Sequence, residues 1–282
     1  MPGASEVKAD MVGDVSFRRS QTDKKATNKQ KCLVVCSRNV SSRNRHLMLD
    51  LQGLMPHARP HPKIEMRADV GDQLEELSHL HRCNSVMYLE ARKRETAYLW
   101  LAQAPEGPSV KLELLNVHTS SELRMAGNCL KFSRPLLHFD REFDNVPHLR
   151  IIKSLLVQGF NTPLYHPKSK PFVDHVLCFF VLDGRIWFRN YQIAPEKRVS
   201  DTEMMEIGPR FILNPIAIFN GCCRGSVLWK NPDAVAPSTK RRDKKLRALD
   251  KVVANEKVAE KSERHKKINP APAPSPLANV FH

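Results

Sequence analysis

The stretch HVLCFFVLDGRIWFRNYQI (175–193) carries the strongest fold signal in the chain. Two apolar, alternating segments flank Asp183-Gly184, a pair of residues that accepts the positive φ angles of a two-residue hairpin turn. EIGPRFILNPIAIFNG (206–221) and SVLWK (226–230) continue with the same kind of pattern. Trp187 and Tyr191 alternate with apolar residues, so they are interpreted as core. The C-terminal part of the chain therefore predicts a hairpin followed by further strands.

A helix and a strand are predicted directly before this hairpin. LLHF (136–139) is a short apolar run typical of a strand. Pro147 then precedes Leu149, Ile152, Leu155 and Leu156, whose spacing predicts an amphipathic helix that begins at the proline.

The N-terminal part repeats this order of elements. CLVVC (32–36) predicts a buried strand, and Ser41 or Ser42 can cap a helix that has leucines at 47, 51 and 54 on one side. A second helix is predicted over 70–81, followed by strands over 85–90, 97–102 and 110–117. We expect an α/β or α+β fold with a weak twofold pseudo-repeat, each half holding helix and sheet.

Charge separates a folded middle from basic flanks. The chain has 282 residues and a formal net charge of +15. Residues 238–282 hold twelve Lys or Arg against five Asp or Glu, and residues 1–31 hold seven against four. We expect a disordered basic arm over 1–30, a folded domain over 31–235 and a basic helical tail over 236–282 that ends in a proline-rich disordered segment. A polyanionic partner is favoured over a merely soluble basic protein.

The tail has two features of interest. Leu246, Leu249 and Val253 fall on one side of the expected helix, which is either solvated or becomes ordered on a partner. We take these three residues as candidates for partner binding. The KRRDKK run (240–245) suits nuclear localisation, nonspecific RNA contact or a solvated tail, and the sequence does not rank these three.

The motifs of several protein classes are absent from the sequence. It has no GxxxxGK[ST] and no GxGxxG loop, so no nucleotide cofactor is expected. It has no GxSxG and no HExxH, and its seven cysteines form no CxxC pair, so we expect no metal. No secretory signal is recognised, and the longest apolar run, 176–182, is too short to span a membrane.

The candidates for catalysis are two His/Asp pairs. His46 and Asp50 lie at i, i+4 on the first predicted helix, and His138 and Asp140 share a strand face. We recognise no nucleophile, metal cluster or paired carboxylates that would complete either pair. A nuclease that uses His46 and Asp50 is retained only as an alternative, and the chain is expected not to be an enzyme.

Basic residues gather where predicted elements end. Arg38, Arg43 and Arg45 surround the exit of the first strand and the start of the first helix, where backbone amides already favour phosphate. Arg92, Lys93 and Arg94 follow a strand, and Lys168 and Lys170 precede the hairpin. Each cluster alone is typical of a solvated turn, but together they predict a composite RNA surface.

In order along the chain, these segments resemble the Brix domain. The resemblance rests on SRNVSSRNRHLMLDLQGLMPHAR (37–59), CNSVMYLEARKRETAYLWLAQAPEGPSVKLEL (83–114), HTSSELRMAGNCLKFSRPLLHFD (118–140), KSKPFVDHV (168–176), IWFRNYQI (186–193) and EIGPRF (206–211). It implies a two-halved fold similar to the anticodon-binding domains of class II tRNA synthetases. It also implies a non-enzymatic factor of the nucleus and nucleolus that binds precursor ribosomal RNA during assembly of the large ribosomal subunit. The implied partners are proteins of the pre-large-subunit particle, among them a nucleolar partner of the Ebp family.

The resemblance also implies which residues face RNA. They are Arg38, Arg43, Arg45, His46, Arg92, Lys93, Lys131, Arg134, Lys168, Lys170 and, as a weaker candidate, Arg210, which lies in a segment likened to a sigma-factor motif. The alternative is a protein-interaction scaffold within pre-ribosomes that has little RNA affinity of its own.

Two departures from the family pattern bear on the fold. Pro215 falls inside FILNPIAIF (211–219), where a central strand would lose a hydrogen bond, so this strand is expected to be an edge strand or bulged. Cys222, Cys223 and Arg224 stand where small or aromatic residues followed by glycines are usual in the family. Both departures put the local geometry after Phe211 in question.

Overall fold

A computed structural model describes residues 28–65, 70–92, 96–193, 204–235 and 237–269. Nearly all of the expected N-terminal arm and of the proline-rich end therefore lies outside the described residues. The first part of the chain contains β1 (Cys32–Cys36), α1 (Ser42–Leu54), β2 (Ala58–Pro60), α2 (Val70–His81), β3 (Ser85–Arg92), β4 (Thr96–Gln103), β5 (Ser109–His118) and α3 (Ser120–Leu123).

The second part begins at Pro135. It contains β6 (Pro135–Phe139), α4 (Glu142–Asn145), α5 (Pro147–Phe160), β7 (His175–Leu182), β8 (Arg185–Gln192), β9 (Met205–Glu206), β10 (Arg210–Phe219), β11 (Val227–Lys230) and α6 (Pro237–Ile268). The fold is mixed α/β, as predicted. The predicted helix over 70–81 and the predicted strand over 32–36 have the same bounds in the structure. The strands predicted over 85–90, 97–102, 110–117 and 136–139 are one or two residues longer there, and the one predicted over 226–230 is one residue shorter.

The eleven strands within the described ranges belong to one sheet, in the order β2-β1-β3-β4-β5-β10-β8-β7-β6, with β11 paired to β10 and β9 to β8. The first half runs β1-β3-β4-β5 and the second runs β6-β7-β8-β10, so the same order of strands occurs twice. In each half the first two strands are parallel and the next ones antiparallel. The halves join where β5 pairs with β10. The expected pseudo-repeat is thus visible in the strand order, while the likeness to anticodon-binding domains stays a prediction.

The main core lies on one face of the sheet, beneath α1 and α5. Leu47 and Leu51 of α1 and Ile152 and Leu156 of α5 pack on strand residues of both halves. The rings of Phe160, Phe179 and Phe188, on α5, β7 and β8, contact one another there. The ring of Phe211 on β10 stacks on Phe188, with 4.4 Å between the ring centroids. Each fully buried side chain of this size stabilises the fold by about 2 kcal/mol or more. This face holds the two halves together.

A smaller core lies on the opposite face, beneath α2. Leu74 of α2 packs with Leu33 and Val35 of β1 and with Val86 and Tyr88 of β3. Its members all belong to the first half or to the turn after β10, so α2 covers only the first half.

Local signals explain where the helices begin and the hairpin turns. The hydroxyl of Ser41 accepts a hydrogen bond from Asn44 N–H, which makes Ser41 the cap of α1. Pro147 occupies the first turn of α5, where its missing N–H costs nothing. Asp183 and Gly184 have φ angles of 53° and 69°, as the predicted tight turn requires.

Pro215 lies at a bulge, one of the two placements expected for it. β10 is a central strand, and its register against β5 shifts between Pro215 and Ala217. On the other side β10 pairs with β8 before the proline and with β11 after it, so no partner needs the missing N–H. The carbonyl of Pro215 accepts a hydrogen bond from the Asn231 side chain at 2.9 Å. The bulge accommodates a proline inside a central strand.

The unusual Cys222-Cys223-Arg224 segment links α2 to the sheet through hydrogen bonds and ion pairs. Cys223 N–H donates to Ser109 Oγ at 3.0 Å, and Ser109 Oγ donates to Gly221 O at 2.6 Å. Arg224 forms ion pairs with Asp72 and Glu75 of α2. The departure from the family pattern therefore has a structural role in this chain.

His57 links the two halves on the buried side. Its Nε2–H donates to the carbonyl of Gly159, at the end of α5, over 3.0 Å. Its Nδ1 is buried without a partner among the described residues. Burial lowers the pKa of His57 to about 4, against an opposing contribution from the hydrogen bond to Gly159. Because a second ring proton would have no acceptor, the folded state keeps this imidazole neutral.

Acidification should therefore destabilise the fold through His57. Below pH 6.5 the unfolded chain binds a proton that the folded chain does not, so stability falls as the pH drops from about 6.5 to about 4. The full contribution is on the order of 3 kcal/mol. His57→Gln, which can still donate to Gly159, should flatten urea-unfolding free energies measured between pH 4 and 7. His46→Gln controls for the loss of a histidine at an exposed position, and equal curves for the two variants would contradict this account.

Candidate nucleic-acid interface

The predicted RNA-facing residues that the structure describes lie at one end of the sheet. At this end β1, β3 and β5 finish and β6, β7 and β10 begin, because β5 and β10 pair antiparallel and β6 and β7 pair parallel. α1 also begins there, directly after β1. We call this surface the basic end. It comprises Arg38, Arg43, Arg45, His46, Arg92, Lys131, Arg134, Lys168, Lys170 and Arg210.

The first group surrounds the start of α1. Arg45 and His46 are exposed, and Arg43 lies 3.5 Å from Glu122 of α3. Arg38 forms an ion pair with Glu65. These arginines are more than half exposed, and exposed ion pairs contribute at most about 1 kcal/mol. A phosphate could replace Glu65 or Glu122 at little cost, and the first turn of α1 contains no acid to repel it.

Arg92 extends this group through a buried network. Its Nε donates to Glu90 over 2.5 Å, and Glu90 also accepts from Trp100 Nε1 at 2.7 Å and Lys111 Nζ at 2.8 Å. Burial alone would raise the pKa of Glu90, but Lys111, Trp100 and Arg92 outweigh it and hold the pKa below its ordinary value. The network leaves Arg92 half exposed at the strand end. Lys93, also predicted, lies outside the described residues.

The second group is brought together by two adjacent loops. Lys170 N–H donates to Phe132 O at 2.9 Å, and Arg134 N–H donates to Phe172 O at 2.8 Å. These bonds tie the segment before β6 to the segment before β7. Lys131, Lys168 and Lys170 are exposed on it, with Arg134 partly buried. Residues almost forty positions apart thus form one positive surface.

A buried polar cluster beneath this group fixes its loop. Asp174 accepts from Leu130 N–H at 2.6 Å and from Ser133 Oγ at 2.5 Å, and it lies 2.7 Å from His175 Nδ1. Burial alone would raise the pKa of Asp174, but these hydrogen bonds hold the pKa below its ordinary value. Ser133 and Asp174 both contact the same ring nitrogen of His175, and Nε2 is buried without a partner among the described atoms. A nucleophilic triad needs serine and aspartate on opposite ring nitrogens, so this cluster fits a structural role.

Arg210 belongs to the basic end but is held by an acid. Its guanidinium makes two hydrogen bonds of 2.7 Å to the carboxylate of Glu206. That bond raises the pKa of Arg210 above its ordinary value. Arg189 lies 3.8 Å from the same carboxylate. Arg210 therefore has less charge to offer a phosphate than its neighbours, which agrees with its rank as the weaker candidate.

Two further cations lie at this end that the sequence interpretation missed. Lys63 follows β2, which is parallel to β1. Burial raises the pKa of Cys36, at the end of β1, to about 11, and the nearby charge of Lys63 partly opposes this rise. Arg124 is exposed at the end of α3, directly after β5. Neither belongs to a basic run, so only the pairing of strands brings them to the basic end.

The His/Asp alternatives find little geometric support. Asp50 accepts a hydrogen bond from Ser120 N–H at 2.9 Å and so serves the start of α3. His138 packs against the ring of Phe180, at 5.8 Å between centroids. Across the described ranges we find no group of three or more metal-ligating side chains. Nor does any helix within those ranges have the length and apolar character needed to cross a membrane.

The predicted partner-binding residues lie on α6. Leu246, Leu249 and Val253 are 49%, 60% and 47% exposed. The helix is 32 residues long and carries basic residues in its last turn.

Comparison with known proteins identifies the family. The Brix domain model matches residues 37–217. This chain belongs to the Brix domain family. A Drosophila melanogaster protein named ribosome biogenesis protein BRX1 homolog is 46% identical over 242 residues, which cover 85% of this chain and 66% of that protein. The human protein of the same name is 49% identical over 215 residues, covering 76% of this chain and 60% of that protein. The match thus spans less than two thirds of the length of either relative.

A Dictyostelium discoideum protein with the same name is less similar, at 42% identity over 262 residues. These residues cover 93% of this chain and 80% of that protein. Among solved structures, a probable ribosomal biogenesis protein from Aeropyrum pernix K1 matches with a TM-score of 0.43 at 16% identity, covering 66% of this chain and 96% of that one. An archaeal Imp4-like protein matches with a TM-score of 0.36 at 14% identity, covering 67% and 99%.

The cluster around Asp174 gives a stability prediction. Asp174→Ala leaves Leu130 N–H without its acceptor and leaves the Ser133 hydroxyl only the carbonyl of Leu130, at 2.7 Å. The free energy of unfolding should therefore fall by about 2 kcal/mol in urea titrations. Asp144→Ala is the matched control, because this carboxylate is 65% exposed and pairs with Lys153 at the surface. The control should change stability by less than about 1 kcal/mol. Equal losses in the two variants would show that the Asp174 cluster does not hold the loop.

Proposed function

We propose that this Brix domain chain is a non-catalytic RNA-binding assembly factor that acts in ribosome biogenesis. Its RNA is precursor ribosomal RNA of the large subunit, and its compartment is the nucleolus, within the nucleus. Its protein partners belong to the pre-large-subunit particle and include an Ebp-family protein. The names of its relatives support the role in ribosome biogenesis.

One observation carries the RNA-binding part of the proposal, namely that cations from distant parts of the sequence lie at a single end of the sheet. From β1 to β6 the sheet has seven strand intervals, or about 34 Å at roughly 4.8 Å each. Cations along such a row can contact several phosphates of one RNA. Each phosphate that is neutralised releases condensed counterions, so the affinity has no need of base contacts.

The basic end suits structured RNA better than an isolated base. Its groups are mainly arginines and lysines on loops and at a helix start, which contact phosphates by charge and bidentate hydrogen bonds. Recognition of this kind reads the shape and backbone of an RNA helix. Arg38, Arg43 and Arg92 each form an ion pair and yet remain half or more exposed, so they stay accessible to a phosphate.

The double variant Arg43→Ala, Arg45→Ala tests the basic end. If each arginine contacts one phosphate, the slope of log K against log salt should become shallower by about 1.5, and affinity should fall to a similar degree for unrelated RNA duplexes. Fluorescence anisotropy with the full chain and labelled duplexes between 50 and 300 mM KCl measures both. Crosslinking to RNA in cells, followed by sequencing, should show loss of a large-subunit precursor segment.

Arg141→Ala, Lys230→Ala is the matched control for this experiment. Both residues are exposed, Arg141 follows the other end of β6, and Lys230 lies on β11, away from the basic end. An unchanged slope in the test variant, or the same change in both variants, would count against the basic end. Diffuse crosslinks that do not respond to the test variant would favour the protein-interaction scaffold.

The apolar side of α6 supports a partner contact in addition. Leu246→Gln, Leu249→Gln, Val253→Gln keeps good helix formers at exposed positions, so unfolding free energy should change by less than about 0.5 kcal/mol. The chain should nevertheless leave the pre-ribosomal fractions of a sucrose gradient. Lys251→Gln, Lys257→Gln, Lys261→Gln is the matched control, because it changes three exposed residues of the same helix and leaves the KRRDKK run (240–245) intact. Unaltered sedimentation of the apolar variant would remove these three residues from the partner site.

A further inference from the structure

Exposed aromatic side chains occur at one place in the described part of the chain. Among the phenylalanine, tyrosine and tryptophan residues described, Tyr165 and Phe172 are the exposed ones, at 59% and 58%. Trp187 and Tyr191, interpreted from the sequence as core, are half-buried on β8. Both exposed residues lie in the loop between α5 and β7, which also carries two lysines of the basic end. Two exposed rings in one lysine-bearing loop indicate a contact site, whereas single exposed apolar residues do not.

Hydrogen bonds on both sides of Phe172 fix its backbone. The carbonyl of Phe172 accepts from Arg134 N–H at 2.8 Å, and Lys170 N–H donates to Phe132 O at 2.9 Å. Two residues after Phe172, the carboxylate of Asp174 accepts two further hydrogen bonds from the loop before β6. A ring held on a fixed backbone loses little conformational entropy when a ligand covers it.

A buried histidine fixes the turn that carries Tyr165. His166 N–H donates to Pro163 O at 3.3 Å, and His166 Nδ1 accepts from Lys168 N–H at 3.3 Å. The ring of His166 contacts that of His57 edge-on, at 6.4 Å between centroids. Burial, helped by the charge of Lys168, lowers the pKa of His166, so at neutral pH its Nδ1 remains an acceptor. Tyr165 and Lys168 are therefore presented together at the surface.

The charge around the two exposed rings is positive. Lys131, Lys168 and Lys170 are exposed on the adjoining loops. Asp174 is the one acid within residues 124–134 and 161–174, and it is 22% exposed and bound by its own donors. Cations beside open aromatic rings are the combination that binds unpaired nucleotides, since the rings stack on bases and the cations contact phosphates.

The exposed rings lie toward one side of the basic end. Their loop leads into β7, next to the edge strand β6, whereas the arginines of the first group surround β1, β3 and the start of α1. Arginines contact the phosphates of an RNA helix, whose bases are already stacked on one another. Aromatic rings need bases that are unpaired. The two sides of the basic end therefore suit different parts of one RNA.

We propose that the basic end binds a junction between an RNA helix and an unpaired strand, with unpaired bases stacked on Phe172 and Tyr165. This inference rests on the RNA binding proposed above and adds base contacts to it. The first group contacts phosphates of the helix, and Lys168 and Lys170 contact phosphates of the unpaired strand.

A nucleotide strand fits this loop better than an apolar protein segment. Leu130 and Val173 add apolar area near Phe172, at 49% and 48% exposure. A protein that covered this area would also remove water from the neighbouring lysines, which is costly unless each gains an acid. An RNA strand brings one phosphate with every base, so it supplies the apolar contact and the opposite charge together.

Binding of defined RNAs to the purified full chain tests the proposal. The probes are a blunt duplex and the same duplex with a single-stranded extension of adenosines, on the 5′ end in one RNA and the 3′ end in another. Each has a counterpart whose extension is abasic and so keeps the phosphates without the bases. By fluorescence anisotropy, one adenosine junction should bind roughly tenfold or more tightly than its abasic counterpart. Phe172→Leu should reduce this ratio about tenfold and leave blunt-duplex affinity unchanged, while Phe172→Trp should retain the ratio.

A crosslink locates the stacked base independently of affinity. One 5-iodouridine in the extension, irradiated in complex with the wild-type chain, should give an adduct that mass spectrometry maps to Phe172 or Tyr165. Leu182→Ala is the matched control, because Leu182 is 53% exposed at the other end of β7. It should change neither the ratio nor the adduct.

Equal affinity of the wild-type chain for adenosine and abasic junctions would overturn the proposal. So would a ratio that survives Phe172→Leu, one that falls equally in Leu182→Ala, or an adduct outside residues 161–174. Blunt-duplex binding and its loss in Arg43→Ala, Arg45→Ala report on the proposed function separately, so base stacking can fail while phosphate binding stands. Absence of binding to every RNA would overturn both.

Discussion

Antiparallel pairing of β5 with β10 is the interaction on which the rest of the structure depends. It runs from Arg210 against His118 to Phe219 against Ser109 and joins the two half-sheets into one. Because the pairing is antiparallel and the halves have the same strand order, the ends of β1 and β3 and the starts of β6 and β7 come to the same side. The basic end and the shared core beneath α1 and α5 both follow from this one seam. The register of this pairing shifts twice, between Arg210 and Ile212 and between Pro215 and Ala217. The bulge at Pro215 lies where neither β8 nor β11 needs a hydrogen bond from that residue.

Buried polar groups give the basic end its shape. Glu90 accepts hydrogen bonds from Arg92, Trp100 and Lys111. Asp174 accepts hydrogen bonds from Leu130 and Ser133, which lie in the loop that carries Lys131 and Arg134. A buried carboxylate with its hydrogen bonds satisfied tolerates little movement, since each lost bond costs roughly 1–3 kcal/mol. These two acids therefore fix the strand end at Arg92 and the loop before β6, while the cations around them remain at the surface. A positive surface on loops would otherwise have no fixed geometry to offer an RNA backbone.

The two halves have diverged in what covers them. α2 and β2 complete the first half, and the Cys222-Cys223-Arg224 turn fastens α2 in place from the far end of β10. The second half keeps the strand order but leaves Leu136 and Leu182 at the surface. The two halves thus share a strand order but differ in the elements that cover the sheet, and the basic end spans both of them.

Local sequence determined the elements, because helix caps, hydrophobic periods and turn residues act over a few positions. The helix over 70–81, the Ser41 cap and the Asp183-Gly184 turn could all be predicted from such signals. The motifs likewise indicated the Brix domain family, and several basic clusters could be named in advance. Tertiary structure alone decided that Lys63 and Arg124 join those clusters and that Arg210 is bound to Glu206. It also decided that Trp187 and Tyr191, interpreted from the sequence as core, are only half-buried. These outcomes depend on which strands pair and in what register, and pairing joins residues about a hundred positions apart that no local pattern relates.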